Sequence, residues 1–139
     1  MEKTLLFIKP DAVKRKLIGK IIGRIESAGL DIVGLKMVRL DRKGAENFYQ
    51  IHQGKEFFLK LIEFITRGPI VACLVEGSDC VKKIRELIGA TDPKRAAPGT
   101  IRARFGTSIT ENCVHASNPD ENPEKEIDFF FGRVPGIGP

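Results

Sequence analysis

The chain is poor in the residues that build disulfide frameworks, metal clusters and membrane spans. Its three cysteines, Cys73, Cys80 and Cys113, are odd in number and lack metal-ligand spacing. That pattern excludes a disulfide scaffold and reads as reduced thiols in a cytoplasmic protein. Cys73 and Cys113 stand in apolar runs, where a thiol behaves as a small hydrophobe. No segment approaches the ~18–20 apolar residues that cross a bilayer, so no membrane partner is expected. The opening Met1-Glu2-Lys3-Thr4-Leu5 enters a strand at once and leaves no room for a signal peptide. No linker, internal repeat or low-complexity tract interrupts the rest. Charge of one sign is also scarce in excess: 23 basic and 18 acidic residues leave a net charge of +5. Such a balance suits small anionic ligands, gives only weak support for nucleic acid, and sets no nucleic-acid partner as the expectation.

What is present is ordinary globular material. With 42% hydrophobic and 29% charged residues the chain is too apolar for disorder. Its 139 residues fit one domain spanning 1–139, in which ~65–70% of the unfolded surface is buried. Leu5-Leu6-Phe7-Ile8 is a continuous apolar run ended by Lys9-Pro10, which predicts a strand buried on both faces. Pro10 suits the first turn of a helix, and Val13, Leu17, Ile18, Ile21, Ile22 and Ile25 then recur at helical spacing up to a cap at Gly29. Residues 32–40 predict a second, amphipathic strand. Asp41 can cap a helix carrying Ala45, Phe48, Tyr49 and His52. After Gln53-Gly54 comes another helix with Phe57, Phe58, Leu61, Ile62 and Ile65, closed by Gly68-Pro69. Residues 70–75 predict a third strand, apolar throughout. Ser78 or Asp79 then starts a helix with Val81, Ile84, Leu87 and Ile88 inward and Gly89 at its end.

Over residues 90–110 the periodicity is lost, and the stretch carries Lys94, Arg95, Arg102 and Arg104. A patternless connection of that length in a compact domain is usually functional or disordered. Residues 112–114 predict a short fourth strand ending at His115. Asn122 can cap a last helix with Pro123 first and Glu124 and Glu126 in its opening turns. The tail, residues 132–139, predicts no regular structure. Strands alternating with helical patterns argue for an α+β sandwich. We expect a ferredoxin-like, four-stranded antiparallel sheet, with helices packed on one face and a long basic loop over one end.

The candidate site gathers at the ends of these elements. His115 is one of only two histidines, and neutral imidazole is a nucleophile near pH 7 without help. A lone histidine is more often structural. Glu126, eleven residues later on a helix that must fold back on the sheet, changes that weighing. Its carboxylate can bond one ring nitrogen and fix the other as the free lone pair, and Ser117 can add a hydroxyl to the same group. Lys9 ends the first strand, either as a solvated terminus or as a rigid point charge aimed at a phosphate. Arg85 taken alone is more often a surface arginine, and Arg102 alone is weak evidence. Two guanidinium forks plus a lysine, however, can hold a di- or triphosphate. Phe57 and Phe58 are adjacent on a helix, so both cannot point inward; one either forms a core shoulder or stacks on a planar base. Tyr49, the only tyrosine, can face the core with its hydroxyl reaching the site.

These residues sit inside longer motifs. They are Leu6-Phe7-Ile8-Lys9-Pro10-Asp11-Ala12-Val13, Arg67-Gly68-Pro69-Ile70-Val71-Ala72 with Glu76-Gly77, and Arg85-Glu86-Leu87-Ile88-Gly89-Ala90-Thr91-Asp92-Pro93. Further on come Ala97-Pro98-Gly99-Thr100-Ile101-Arg102 and Asn112-Cys113-Val114-His115-Ala116-Ser117. Over essentially its whole length the chain resembles nucleoside diphosphate kinase. The resemblance implies a ferredoxin-like phosphohistidine enzyme: the γ-phosphate of a nucleoside triphosphate, typically ATP, passes to His115 and then to a second nucleoside diphosphate. It places Lys9, Tyr49, Arg85, Thr91, Arg102 and Asn112 on nucleotide-binding and catalytic positions, Phe57 on the base-stacking aromatic, and Glu126 and Ser117 beside the histidine. It implies Mg²⁺ carried mainly by the nucleotide's phosphates rather than by a direct protein site, and homo-oligomers that are tetramers or hexamers built from dimers.

Three positions depart from the family pattern. Ala116-Ser117-Asn118-Pro119 has an amide where an acid is usual, which either weakens a water-mediated contact to the metal or reduces repulsion of the triphosphate. Glu56 replaces the usual proline before Phe57, and Arg104 adds positive charge where an acid is usual. None removes a group the transfer requires. Two rival classes are a basic nucleic-acid binder on a ferredoxin-like sheet and a catalytically silent nucleotide-binding relative. Aromatics in helical patterns count against the first, and intact His115, Lys9, Arg102 and Glu126 against the second.

Overall fold

Leu5, Leu6, Phe7 and Ile8 are all fully buried, which a strand achieves only when packed layers cover both its faces. The computed structural model, which describes residues 2–120 and 122–132, shows those layers. The strands are β1 (Glu2–Ile8), β2 (Asp31–Val38), β3 (Ile70–Gly77) and β4 (Val114–Ala116). They form one antiparallel sheet in the order β2-β3-β1-β4, with Leu5 opposite Leu74 and Phe7 opposite both Ala72 and His115. The order and the helical connections are those of the expected ferredoxin-like α+β fold.

The helices are α1 (Pro10–Lys14), α2 (Ile18–Ser27), α3 (Arg42–Phe48), α4 (Phe58–Ile65), α5 (Cys80–Ile88), α6 (Ile101–Phe105) and α7 (Pro123–Phe131). They cover two faces, not one, and this corrects the expected layering. Leu6, Ile8, Val71, Cys73 and Val75 point to a core shared with Ile21 and Ile25 of α2 and Ile84 and Ile88 of α5. Leu5, Phe7, Ile70 and Ala72 point the other way, to Ala45 of α3, Phe58, Ile62 and Ile65 of α4 and Phe130 of α7. The physical reason was visible in β1 and β3, whose alternate residues are apolar on both sides.

Four local corrections follow. The first helical pattern is two helices, because Lys16 turns left-handed (φ 61°) between α1 and α2. The Asp41-capped helix ends at Phe48, and a 3₁₀ turn, Gln50–His52, continues it; Asp41 does cap, accepting from the Gly44 N–H at 2.7 Å. The stretch 90–110 holds a short helix, α6, started by the Thr100 hydroxyl accepting from the Ala103 N–H. The fourth strand begins at Val114 rather than 112, so His115 lies in its middle. Asn122 caps α7 as expected. The expectation for the tail falls on residues 133–139, outside the described residues, beyond Gly132, which ends α7.

Candidate active site

Alternation along β4 sends Val114 and Ala116 into one core and His115 to the opposite face of the sheet. β4 is an edge strand, so the backbone groups on its outer side have no strand to meet. Two arginines meet them. Arg102 of α6 donates to the Val114 carbonyl at 2.8 Å and to the Gly89 carbonyl at 3.0 Å. Arg85 of α5 donates to the Ala116 carbonyl at 3.3 Å. The two guanidiniums therefore bracket His115 along the chain. Gly89 makes this possible: with φ 86° and ψ −177° it occupies a region essentially closed to other residues, and a Cβ there would lie 2.5 Å from the Thr100 hydroxyl.

Lys9 is buried, so its solvated-terminus reading falls. Its ammonium donates to the Asn112 side-chain oxygen at 2.9 Å and to the Thr110 carbonyl at 3.3 Å. The Asn112 amide donates in turn to the carbonyls of Thr91 and Ile109, both at 2.9 Å. Burial first, then repulsion from Arg102, lowers the Lys9 pKa to about 8. Burial first, then repulsion from Arg85, lowers that of Arg102 to about 10. Each cation makes charging the next more costly, so the cluster as a whole favours an anion. The Arg102 Nε–H and the Tyr49 hydroxyl are buried with no partner among the described residues, two donors suited to an incoming acceptor.

Between Asn112 and Val114 the chain makes an unusual turn. Cys113 has φ 76°, and the Val114 N–H bonds the Asn112 carbonyl at 3.0 Å, the pattern of a γ-turn of the rare, strained sense. Conformations of this kind cost roughly 1–3 kcal/mol and persist when their surroundings hold them. Here the Lys9 N–H bonds the Cys113 carbonyl at 2.8 Å.

The imidazole itself sits in an aromatic recess. Phe7 stacks on it at 4.8 Å between centroids, while Phe48 and Tyr49 present edges at 5.6 and 6.2 Å. Glu126 lies 3.2 Å from Nε2 and accepts a 2.7 Å hydrogen bond from the Ser117 hydroxyl. Its carboxylate places the ring proton on Nε2 and leaves Nδ1 as the lone pair. Burial lowers the His115 pKa, against the opposing pull of Glu126, and Lys9 and Arg102 lower it further. Burial raises Glu126, but its bonds from His115 and Ser117 outweigh this and hold it below its ordinary value. The pair is thus a neutral imidazole on an ionised carboxylate at pH 7.

Most of the residues expected from sequence converge: Lys9, Arg85, Arg102, Asn112, His115, Ser117 and Glu126 are linked by hydrogen bonds or charge, and Tyr49 by ring contact. Thr91 joins through its carbonyl, with its side chain exposed. Phe57 stands apart, 48% exposed, beyond the N-terminus of α4, while Phe58 is buried. Adjacency thus resolves as one residue in and one out, and a ring chain through His52 leads from Phe57 to Tyr49. Phe7 and Phe48, the walls of the recess, escaped the sequence reading; for Phe7 the available signal was its apolar strand two residues before Lys9. Of the departures, Asn118 accepts from the Asp120 N–H at 3.0 Å, making its own turn, and Arg104 lies over the Phe105 ring.

For a divalent cation the donor set is telling. Among the described residues no group of three or more His, Cys, Asp or Glu is placed to hold one. Glu126 is committed to His115 and Ser117, and Asp11 gives one oxygen to the Cys113 N–H. Lys9, Arg85 and Arg102 are cations, which suit anionic phosphate oxygens and not a bare divalent ion.

The family model described as nucleoside diphosphate kinase matches residues 2–134. Nucleoside diphosphate kinase 2 of Protochlamydia amoebophila (strain UWE25) is 53% identical over 131 residues, covering 94% of this chain and 92% of its own. A nucleoside diphosphate kinase of Helicobacter pylori (strain P12) is 55% identical over 130 residues, covering 94% and 95%. The solved structure of a halophilic nucleoside diphosphate kinase from Halobacterium salinarum in complex with CDP superposes with a TM-score of 0.92 at 43% identity, covering 95% of this chain and 88% of that one. With the motif-bearing sheet, the bracketed histidine and these likenesses together, the chain belongs to the nucleoside diphosphate kinase family.

Proposed function

We propose that this kinase moves the γ-phosphate of a nucleoside triphosphate, typically ATP, to nucleoside diphosphates through a phosphohistidine on His115, and so maintains nucleoside triphosphate pools. One observation carries the reading: Glu126 on Nε2 leaves Nδ1 of a neutral imidazole free, in the field of Lys9 and Arg102, with Arg102 and Arg85 on the backbone carbonyls either side of His115. In the first half-reaction the Nδ1 lone pair forms a bond to the γ-phosphorus. The bond to the β–γ bridging oxygen breaks, and the diphosphate leaves with that electron pair. In the second half-reaction a terminal oxygen of another nucleoside diphosphate takes the phosphoryl group, and Nδ1 recovers its lone pair. Throughout, Glu126 holds the ring upright and offsets the positive charge that the ring gains, with Ser117 fixing the carboxylate.

The three cations and the Asn112 amide position the phosphates and neutralise the equatorial oxygens of a loose transition state. The unpartnered Nε of Arg102 and the Tyr49 hydroxyl are available donors for the same oxygens. Mg²⁺, if carried in on the nucleotide's phosphates beside Lys9, Arg85 and Arg102, would supply further positive charge to offset the negative charge of the leaving diphosphate. Phe57 offers its exposed ring to the base, and stacking tolerates any of them. The test is direct. Incubated with γ-labelled ATP and no acceptor, the chain should take up acid-labile phosphate and surrender it to any added nucleoside diphosphate; a chain that stays unlabelled overturns the reading.

The proposal extends to assembly and location. β2 is the other sheet edge, and Val33, Leu35 and Met37 on it are 41%, 57% and 58% exposed, an apolar row along a strand with no neighbour on its outer side. Pairing of β2 across a two-fold axis would give dimers, from which tetramers or hexamers are built. Leu35→Glu should lower the mass measured by light scattering to that of smaller species; an unchanged mass removes β2 from the interface. No helix among the described residues is long and apolar enough to cross a membrane, and the three cysteines are free thiols, which supports a cytoplasmic place that cell fractionation would check.

A further inference from the structure

Asp11 is a buried carboxylate that the transfer chemistry does not use. It sits in α1, 9% exposed, and its Oδ2 accepts the Cys113 N–H at 3.1 Å, while Oδ1 has no partner among the described residues. Burying a carboxylate is costly, and this one touches neither His115 nor Glu126. What it holds is the centre of the left-handed turn at Cys113. That turn decides where three groups point. Before it, the Asn112 side chain is aimed at the Lys9 ammonium. After it, the Val114 carbonyl is aimed at Arg102, and His115 follows directly.

The connection is built twice from the same short segment. The Lys9 N–H bonds the Cys113 carbonyl, and Asp11 bonds the Cys113 N–H, so both backbone groups of one strained residue are clamped from residues 9–11. We infer that Asp11 is a positioning residue, whose carboxylate locks Cys113 in its left-handed turn and thereby sets His115, Asn112 and Arg102 in register. Without it the Cys113 N–H is a buried donor lacking an acceptor, and a non-glycine residue relaxes toward negative φ. The inference rests on His115 as the phosphorylated residue.

A glycine at 113 separates this role from general support, since glycine adopts positive φ without strain. Asp11→Ala should slow single-turnover labelling of His115 by ATP about 10- to 100-fold, the scale of a misplaced reacting group. Asp11→Asn, which keeps an acceptor oxygen, should stay within about threefold of the unmodified protein. Adding Cys113→Gly to Asp11→Ala should recover most of the lost rate. Labelling by Asp11→Ala at the original rate, or a loss that Cys113→Gly does not lessen, overturns the inference. If Asp11→Ala fails to fold alone, the double variant decides, and its failure to fold or to label is the overturning result.

A second readout needs no phosphoryl transfer. With only His52 and His115 in the chain, the His115 ring protons can be followed by NMR in nucleotide-free protein. Their chemical shifts should move in Asp11→Ala and return toward the parent's in the double variant. Unmoved shifts overturn the inference even if labelling changes. An unlabelled parent chain overturns the phosphohistidine reading instead, and the ring shifts still test Asp11.

Discussion

Replacing His115 with alanine is expected to abolish acid-labile labelling and to lower nucleotide exchange by roughly 10⁴-fold or more, the scale seen when a covalent nucleophile is removed. The side chain is half-buried and makes ring contacts with Phe7, Phe48 and Tyr49, so alanine also leaves a small void. Circular dichroism and an unfolding midpoint should therefore accompany the kinetics. Labelling of the alanine variant at the parent rate would sink the assignment. The parent's pH profile carries a second check. His115 titrates below its ordinary value of 6.5, so kcat/KM should hold steady at neutrality and fall only as the ring protonates in more acid solution.

On the alkaline side the limit is Lys9, whose folded pKa is about 8, so kcat/KM should decline as pH rises through that value. Stability should move oppositely. Between pH 8 and 10.5 the unfolded chain holds the Lys9 proton more tightly than the native one, and there stability rises with pH. A nucleotide-free melting temperature that rises over the range where nucleotide affinity falls would show both signs in one residue.

Arg102→Ala is expected to cost ~2–4 kcal/mol of transition-state stabilisation, as for a removed preorganised donor. Unchanged turnover would place the arginine outside the chemistry. Structure adds a complication and its remedy. Arg102 also satisfies the buried carbonyls of Gly89 and Val114, and each unmet carbonyl costs ~1–3 kcal/mol. The variant should therefore melt earlier as well as turn over slowly, and rates must be taken well below its midpoint. Arg102→Lys tests the split: an ammonium restores charge without the planar fork that spans both carbonyls. Recovery of nucleotide affinity without recovery of kcat is the expected result.

Much of this was legible in the chain, and unevenly so. The buried strand 5–8, the α5 stripe ending at Gly89 and the Asp41 and Asn122 caps follow from periodicity and capping chemistry, because those signals are local. The break at Lys16 was invisible, since the apolar spacing runs through it and a lysine carries no signal for positive φ. α6 was hidden for another reason: five residues hold too little of a helical period to show. His115 and Glu126 could be paired by chemistry alone. Phe7, Phe48 and Asp11 could not, because their part depends on which strands are neighbours. Asp11 lies 102 positions from the N–H it holds.

An open sheet has two rims, and here they are finished differently. Along β4 the outward carbonyls of Val114 and Ala116 are occupied by guanidiniums, so the rim beside His115 has those two acceptors already filled against a stray extended peptide. Along β2, among the described residues, no such guanidinium cover is found, and Val33, Leu35 and Met37 stand exposed. If two copies pair through β2 as proposed, like edge against like edge, that pairing leaves no adhesive rim, and the sheet would close at two copies instead of growing into a fibre.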